Sequence, residues 1–202
     1  MHQPSRQSAL SIIRATALAA QPWANGAGST REIARHPAQG AWDWRLSIAA
    51  IDAPAPFSSL PGIERELVLL HGEGVRLRFE DDGSERDALP PHGRLRFDGG
   101  RAVHGAPVDG PASVFNLMWR PDRVDAECWL RPLVGTLAMF AEPDETWALH
   151  LVAGRVAVQS PGIERLNAGD TLVAGGQRGR LHVRLDGQGE ALLMRLRPTT
   201  RR

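Results

Sequence analysis

Several short stretches of the chain alternate apolar and polar residues with a period of two, and this alternation limits the possible folds most strongly. Residues 44–49 read WRLSIA and residues 75–79 read VRLRF. Such alternation predicts β-strands with one buried face. Glycine and proline, 21 and 15 of the 202 residues, follow most of these runs and predict turns. Short strands joined by tight turns are typical of an all-β sandwich or barrel.

Two segments read as a strand, a glycine turn and a second strand. They are LVLLHGEGVRLRF at residues 67–79 and WALHLVAGRVAVQ at residues 147–159. Each predicts a β-hairpin, one in each half of the chain. We therefore expect an N-terminal barrel within residues 1–119, and a linker with a C-terminal barrel within residues 120–202. Residues from about 22 to 119 and from about 130 to 198 should form two superposable antiparallel barrels.

The charge balance argues against nucleic acid and membrane surfaces as partners. Twenty-four basic residues face 23 acidic ones, for a formal net charge of +1, whereas binders of such polyanions carry a basic excess. No apolar run approaches the roughly 18 residues of a membrane span. Cys128 is the single cysteine, so no internal disulfide can form. We expect a cytoplasmic protein.

Metal ligands are sparse where a β-barrel enzyme would place them. Residues 147–159 contain only His150, and with one cysteine no Cys/His zinc cluster can be assembled. We therefore expect neither a metal nor another cofactor.

The glycine-rich segment 21–37, QPWANGAGSTREIARHP, allows two interpretations. A phosphate-binding P-loop needs a lysine after its last glycine, and a dinucleotide fingerprint needs a third glycine before a helix. This segment has neither, since a strand-like alternation follows GAGST. It is either a glycine turn that begins a strand, or such a turn whose backbone amides approach a ligand beside Asn25, Thr30 and Glu32.

Two polar residues on apolar strands extend this candidate site. Arg45 and Ser47 share one face of their strand, and a guanidinium turned inward needs a carboxylate. That carboxylate belongs to Glu32 or Asp43, or to a bound ligand; Glu32 can also orient Arg45 for an incoming acid. Asn116 in VFNLMWR is a buried amide that either bridges strands or faces a cavity.

These segments, in this order, resemble the HutD/Ves family of bacterial proteins. The resemblance rests on PWANGAGSTREIARHP, on WDWRLSIAAIDAPAPFSSLPGIERELVLLHGEGVRLRF, and on RFDGG and VFNLMWR, over about residues 22–120. Residues 130–198 match loosely. The resemblance implies a bicupin, two fused antiparallel β-barrels of the RmlC-like jelly-roll type, without recognised enzymatic activity or catalytic metal. It also implies a link to histidine utilisation for HutD members and to stress response for Ves members.

The expected function is that of a non-enzymatic bicupin that binds a small carboxylate such as formylglutamate and regulates histidine utilisation. The expected ligand-binding residues are Asn25, Thr30, Arg31, Glu32, Arg45, Ser47 and Asn116. One alternative is a metal-free cupin isomerase or hydrolase, with Glu32 as base and Arg45 stabilising an oxyanion. Another is a protein-interaction module with a closed, apolar first barrel. A homodimer is compatible with each of these.

Overall fold

The computed structural model describes residues 10–159, 163–176 and 179–199, and this part of the chain is all-β. It contains one 3-10 turn, Ala15–Ala17, and no helix of the length and hydrophobicity that crossing a bilayer requires. Its strands are β1 (Leu10–Ile13), β2 (Gln21–Pro22), β3 (Gly28–His36), β4 (Trp44–Ile51), β5 (Ala55–Pro56), β6 (Glu64–His71), β7 (Val75–Phe79), β8 (Glu85–Ala88), β9 (Arg94–Asp98), β10 (Val103–Pro107), β11 (Ala112–Trp119), β12 (Val124–Ala141), β13 (Thr146–Gln159), β14 (Ile163–Asn167), β15 (Thr171–Gly175) and β16 (Leu181–Pro198).

The chain forms two compact units, and their boundaries correct the predicted ones. The first unit is Leu18–Val124, and the second combines the residues up to Ala17 with the chain from Asp125 onward. Assigning the whole of residues 1–119 to one barrel is therefore wrong for the N-terminal segment. β1 pairs antiparallel with β15, with Leu10 opposite Ala174, because its apolar residues pack against the core of the second unit.

Two sheets make up the first unit. The large sheet has the order β2-β3-β4-β11-β6-β9 and the small sheet the order β5-β10-β7-β8. One apolar cluster joins them, with Ile51 and Leu67 from the large sheet and Leu77 and Phe79 from the small one, all fully buried. The small-sheet residues are the apolar members of VRLRF, so the predicted alternation is confirmed there.

One six-stranded sheet makes up the second unit. Its order is β1-β15-β13-β16-β12, and β14 pairs with β13. The core includes Leu149 and Leu151 of β13 together with Leu172 of β15 and Val183 of β16. β13 pairs antiparallel with β14, β15 and β16.

Both predicted hairpins are wrong, although their strands exist. β6 lies in the large sheet and β7 in the small one, so the turn between them carries the chain from one sheet to the other. In the second segment β13 runs unbroken through Gly154, whose φ is 94°. It keeps its pairing with β16 on both sides of a register shift between Leu151 and Ala153. Glycine permits positive φ at an irregularity inside a strand as readily as in a turn, and the sequence pattern does not separate the two.

The sheets remain open at their edge strands, with β2 and β9 bounding the large sheet and β5 and β8 the small one. The all-β prediction is confirmed, whereas the finer prediction of two closed barrels is not.

Candidate functional site

A cavity of about 370 Å³ lies in the first unit, against one face of the large sheet. The turn before β3 and the loop after β5 complete its wall. The polar residues that line it are Asn25, Thr30, Arg45, Ser47, Ser58, Arg65 and Asn116.

Strand register explains why these side chains meet. Arg45 of β4 lies opposite Met118 of β11, which lies opposite Arg65 of β6. Residues opposite one another in antiparallel strands point to the same face, so the two arginines flank Met118 in one row. Ser47 and Asn116 form the next row, also in direct register.

Arg45 is held by a carboxylate, as the sequence predicts. Its Nε lies 2.7 Å from Glu32 Oε2 in an ion pair, although the N–H does not point along a hydrogen bond to that oxygen. Glu32 also lies 3.5 Å from Arg35 Nε. The other predicted partner, Asp43, pairs with Arg123 at 2.9 Å instead. Glu32 is therefore a neighbour of the cavity through Arg45 and is not part of its lining.

Arg65 is a buried cation without a carboxylate partner among the described residues. It is 8% exposed, its Nη2 donates to Asn116 Oδ1 at 3.2 Å, and its Nε has no hydrogen-bond partner. Its Cζ lies 5.2 Å from the ring centroid of Phe57 and 5.1 Å from that of Phe97. Burial, and secondarily the charge of Arg45, lower the pKa of Arg65 to about 10. The cavity therefore contains a desolvated positive charge that no carboxylate of the described residues neutralises.

The glycine turn at the cavity wall satisfies its own backbone. Gly26, with φ of 68°, donates its N–H to Trp23 O at 3.0 Å, and Ala27 N donates to Asn25 Oδ1 at 3.1 Å. Trp23 Nε1 donates to Thr30 Oγ1 at 2.9 Å. These two turn amides are thus committed to the turn, which agrees with a glycine turn that begins a strand. Asn25 and Thr30 nevertheless line the cavity.

The structure brings together five of the seven predicted site residues, namely Asn25, Thr30, Arg45, Ser47 and Asn116. Glu32 stands beside them as the partner of Arg45. Arg31 is exposed and does not line the cavity, so the structure does not bring it together with the other predicted site residues. Successive residues of a strand point to opposite faces, and Thr30 takes the cavity side.

Sequence reasoning missed Arg65 and Phe57. Arg65 occupies an inward position of β6, two residues before the fully buried Leu67, and an arginine there is the same signal that identifies Arg45. Phe57 follows the two-residue strand β5. No periodicity covers such a loop, so the sequence has no pattern that would have found it.

The lining chemistry suits an anion better than a cation. Within residues 10–159, 163–176 and 179–199, no group of three or more His, Cys, Asp or Glu residues is arranged to hold a metal ion. Guanidinium, amide and hydroxyl groups instead supply N–H and O–H donors, which carboxylates and phosphates accept.

Comparison with known proteins gives consistent family relationships. The HutD family matches residues 15–193. An uncharacterised 21.2 kDa protein of the hutC 3' region of Pseudomonas putida is 33% identical over 169 residues, 82% of this chain and 86% of that protein. Protein Ves of Cronobacter sakazakii is 39% identical over 106 residues, 52% of this chain and 58% of that protein.

Solved structures extend the likeness to the whole fold. HutD from Pseudomonas fluorescens SBW25, determined in a formate condition, has a TM-score of 0.80 at 31% identity, covering 95% of this chain and all of that one. The bacterial pirin YhhW of Escherichia coli, in complex with nickel(II), has a TM-score of 0.68 at 10% identity, covering 95% of this chain and all of that one, and shares the cupin-like fold alone. The family match and the relatives at 31% and 33% identity cover most of the chain, and the protein therefore belongs to the HutD family.

Proposed function

We propose that this protein binds a small carboxylate in the cavity of the first unit and releases it chemically unchanged, as a metabolite-sensing regulator. One observation carries the proposal. Among the described residues, two arginines and no aspartate or glutamate line the cavity, and one of the two arginines, Arg45, has a carboxylate partner. A desolvated guanidinium favours an incoming anion, because pairing offsets the cost of its burial.

The remaining lining groups suit an organic acid with a short aliphatic body. Ser47 and Asn116 add donors in the row beside the arginines, while Val114, Met118 and Phe57 supply an apolar wall. Carboxylates accept paired N–H bonds from a guanidinium, and the apolar wall would cover the methylene groups. Formylglutamate, with its carboxylates and short chain, is the ligand we propose.

The link to histidine utilisation comes from the family and from the Pseudomonas putida relative, whose name places it in the hutC 3' region. The proposal includes a cytoplasmic location, a cupin-type barrel around the ligand and a homodimer as the assembly. A stress-response role of the Ves type has weaker support, since that match spans 58% of the Ves protein.

Binding without catalysis agrees with the position of Glu32, the proposed base of the enzymatic alternative. Glu32 is paired with Arg45 and is not part of the cavity lining. A base must come within hydrogen-bond reach of the proton that it abstracts. The charged lining likewise argues against the other alternative, a protein-interaction module with a closed, apolar first barrel.

Thermal melting with N-formyl-L-glutamate tests this function. At about 100 times the Kd a ligand adds roughly 2.7 kcal/mol to the free energy of unfolding. For a chain of this size that raises Tm by about 5–10 °C. Arg45→Ala should weaken the binding free energy by about 2 kcal/mol, which raises the Kd roughly 30-fold. The loss is at the low end for a charged pair, because Arg45 is partly exposed and solvent screens its charge.

Arg31→Ala is the matched control, since Arg31 lies on the same sheet but outside the cavity, and it should bind like the parent. Chromatography of the recovered ligand should return formylglutamate alone; a product would support the enzymatic alternative. If neither N-formyl-L-glutamate nor formate shifts the Tm of the parent protein at millimolar concentration, the proposed function is wrong.

A further inference from the structure

We infer that Arg65, and not Arg45, anchors the ligand carboxylate, and that Phe57 positions Arg65 for this contact. The inference rests on the proposed function and assigns its binding chemistry to particular atoms. The sequence pattern, by contrast, predicts Arg45 as the arginine that meets the ligand.

The state of the two guanidinium groups before binding separates their roles. Arg45 already has Glu32 Oε2 at 2.7 Å, and its side chain is 24% exposed. Arg65 is 8% exposed and pairs with no carboxylate in the described part of the chain. A carboxylate that pairs with Arg65 neutralises a buried charge, whereas one that pairs with Arg45 competes with Glu32 and with water. A ligand carboxylate therefore gains more binding free energy at Arg65 than at Arg45.

Asn116 adds a donor to the same position. Its Oδ1 is occupied by Arg65 Nη2 at 3.2 Å, which fixes the orientation of the amide. The Nδ2 group has two N–H donors, and Asn116 lines the cavity. Arg65 and Asn116 thus form one connected donor group, and a carboxylate bound to the guanidinium lies within reach of the amide.

Phe57 fixes the guanidinium from the other side of the unit. Arg65 Cζ lies 5.2 Å from the Phe57 ring centroid, and Phe97 provides a second ring at 5.1 Å. Phe57 N donates to Val103 O at 2.8 Å, which ties the loop to the small sheet. A Cβ at Gly105 would lie 2.4 Å from Phe57 Cε1, so the ring rests directly on the small-sheet backbone. The small sheet thereby positions Arg65 through Phe57.

Isothermal titration of the full chain with N-formyl-L-glutamate and with sodium formate tests the inference. Arg65→Lys should raise the Kd more than about tenfold, because an ammonium group lacks the planar fork. Arg45→Lys retains a charge beside Glu32 and should raise the Kd less than about fivefold. Phe57→Leu removes the ring face and should raise the Kd by about 2- to 30-fold.

Phe79→Leu is the matched control. Phe79 is fully buried and has Arg101 Cζ 4.0 Å from its ring centroid, but it does not line the cavity. This variant should lower Tm and leave the Kd unchanged, so a purely structural effect is separated from positioning.

The inference is overturned if Arg45→Lys weakens binding as much as Arg65→Lys does, or if Phe57→Leu binds like the parent. If Arg65→Lys does not fold, the Kd values of the other two variants are compared. A higher Kd for Phe57→Leu than for Arg45→Lys supports the inference, and a lower one refutes it. Failure of the parent protein to bind either probe refutes the proposed function itself. Binding by the parent with the reverse order of the variants refutes only this inference.

Discussion

Gly105→Ala is the sharpest test of the packing beneath the cavity. Gly105 lies in β10 between Leu77 and Ala55 of the small sheet, and its φ is not in the left-handed region, so its backbone does not require glycine. The available space does require glycine, because a Cβ at Gly105 would lie 2.4 Å from Phe57 Cε1 and 2.5 Å from Phe57 Cζ. The ring must therefore move by about 1 Å to reach ordinary contact distance.

The expected free-energy change combines two opposing effects. Overpacking of this kind costs about 1–3 kcal/mol. Replacing glycine by alanine recovers about 0.4–1 kcal/mol by restricting the unfolded chain. The net loss is about 1–2 kcal/mol, which lowers Tm by roughly 2–8 °C in calorimetry.

Two further variants of the protein make the interpretation of Gly105→Ala unambiguous. Gly179→Ala is the control, because a Cβ at Gly179 would meet no atom within 4 Å. The free energy of unfolding of this variant should lie within about 1 kcal/mol of that of the parent. Adding Phe57→Leu to Gly105→Ala should remove most of the penalty, since the shorter side chain clears the clash. A Gly105→Ala protein that melts at or above the parent would show that the ring does not rest on this strand.

Asp170→Asn should destabilise the protein by roughly 1–3 kcal/mol at neutral pH, because Asp170 accepts N–H bonds from Ala15 and Asn167. Burial raises the pKa of Asp170, but these hydrogen bonds, together with the hydrogen bond and charge of Arg14, outweigh burial and lower the pKa below its usual value. The stabilisation is therefore present above about pH 4 and is lost as the pH falls further. In a pH series, the Tm difference between parent and variant should shrink below that pH. Gly154→Ala should cost more than about 2 kcal/mol in urea unfolding, since its φ is 94° and a Cβ would lie 2.1 Å from Gln188 O; an unchanged midpoint would contradict this.

The sequence predicts the strands well because a period of two is a local property. Arg45 and Ser47 can be assigned to one face without knowing any neighbouring strand. Their proximity to Arg65, in contrast, is not a local property, because it depends on the register of β11 against both β4 and β6. Register is set by the burial of all three strands together, which no single segment encodes.

The wrong hairpin at Gly154 and the failure to find Phe57 also result from dependence on other strands. Glycine at 154 marks an irregular backbone, but whether the chain turns back there depends on the pairing of β13 with β16. The position of Phe57 likewise depends on the space left by Gly105 in a strand far along the chain. Sequence reasoning therefore finds individual site residues and misses those whose role is created by non-local packing.

The pairing of β1 with β15 constrains the order in which this protein is completed during synthesis. Leu18–Val124 is one continuous stretch, so the first unit can fold as soon as it has emerged from the ribosome. Leu10–Ile13 emerge earlier, yet their partners Thr171–Ala174 are made only after the whole of that unit. The strand β1 therefore stays unpaired until β15 has been made, and the cavity of the first unit can form before the chain is complete.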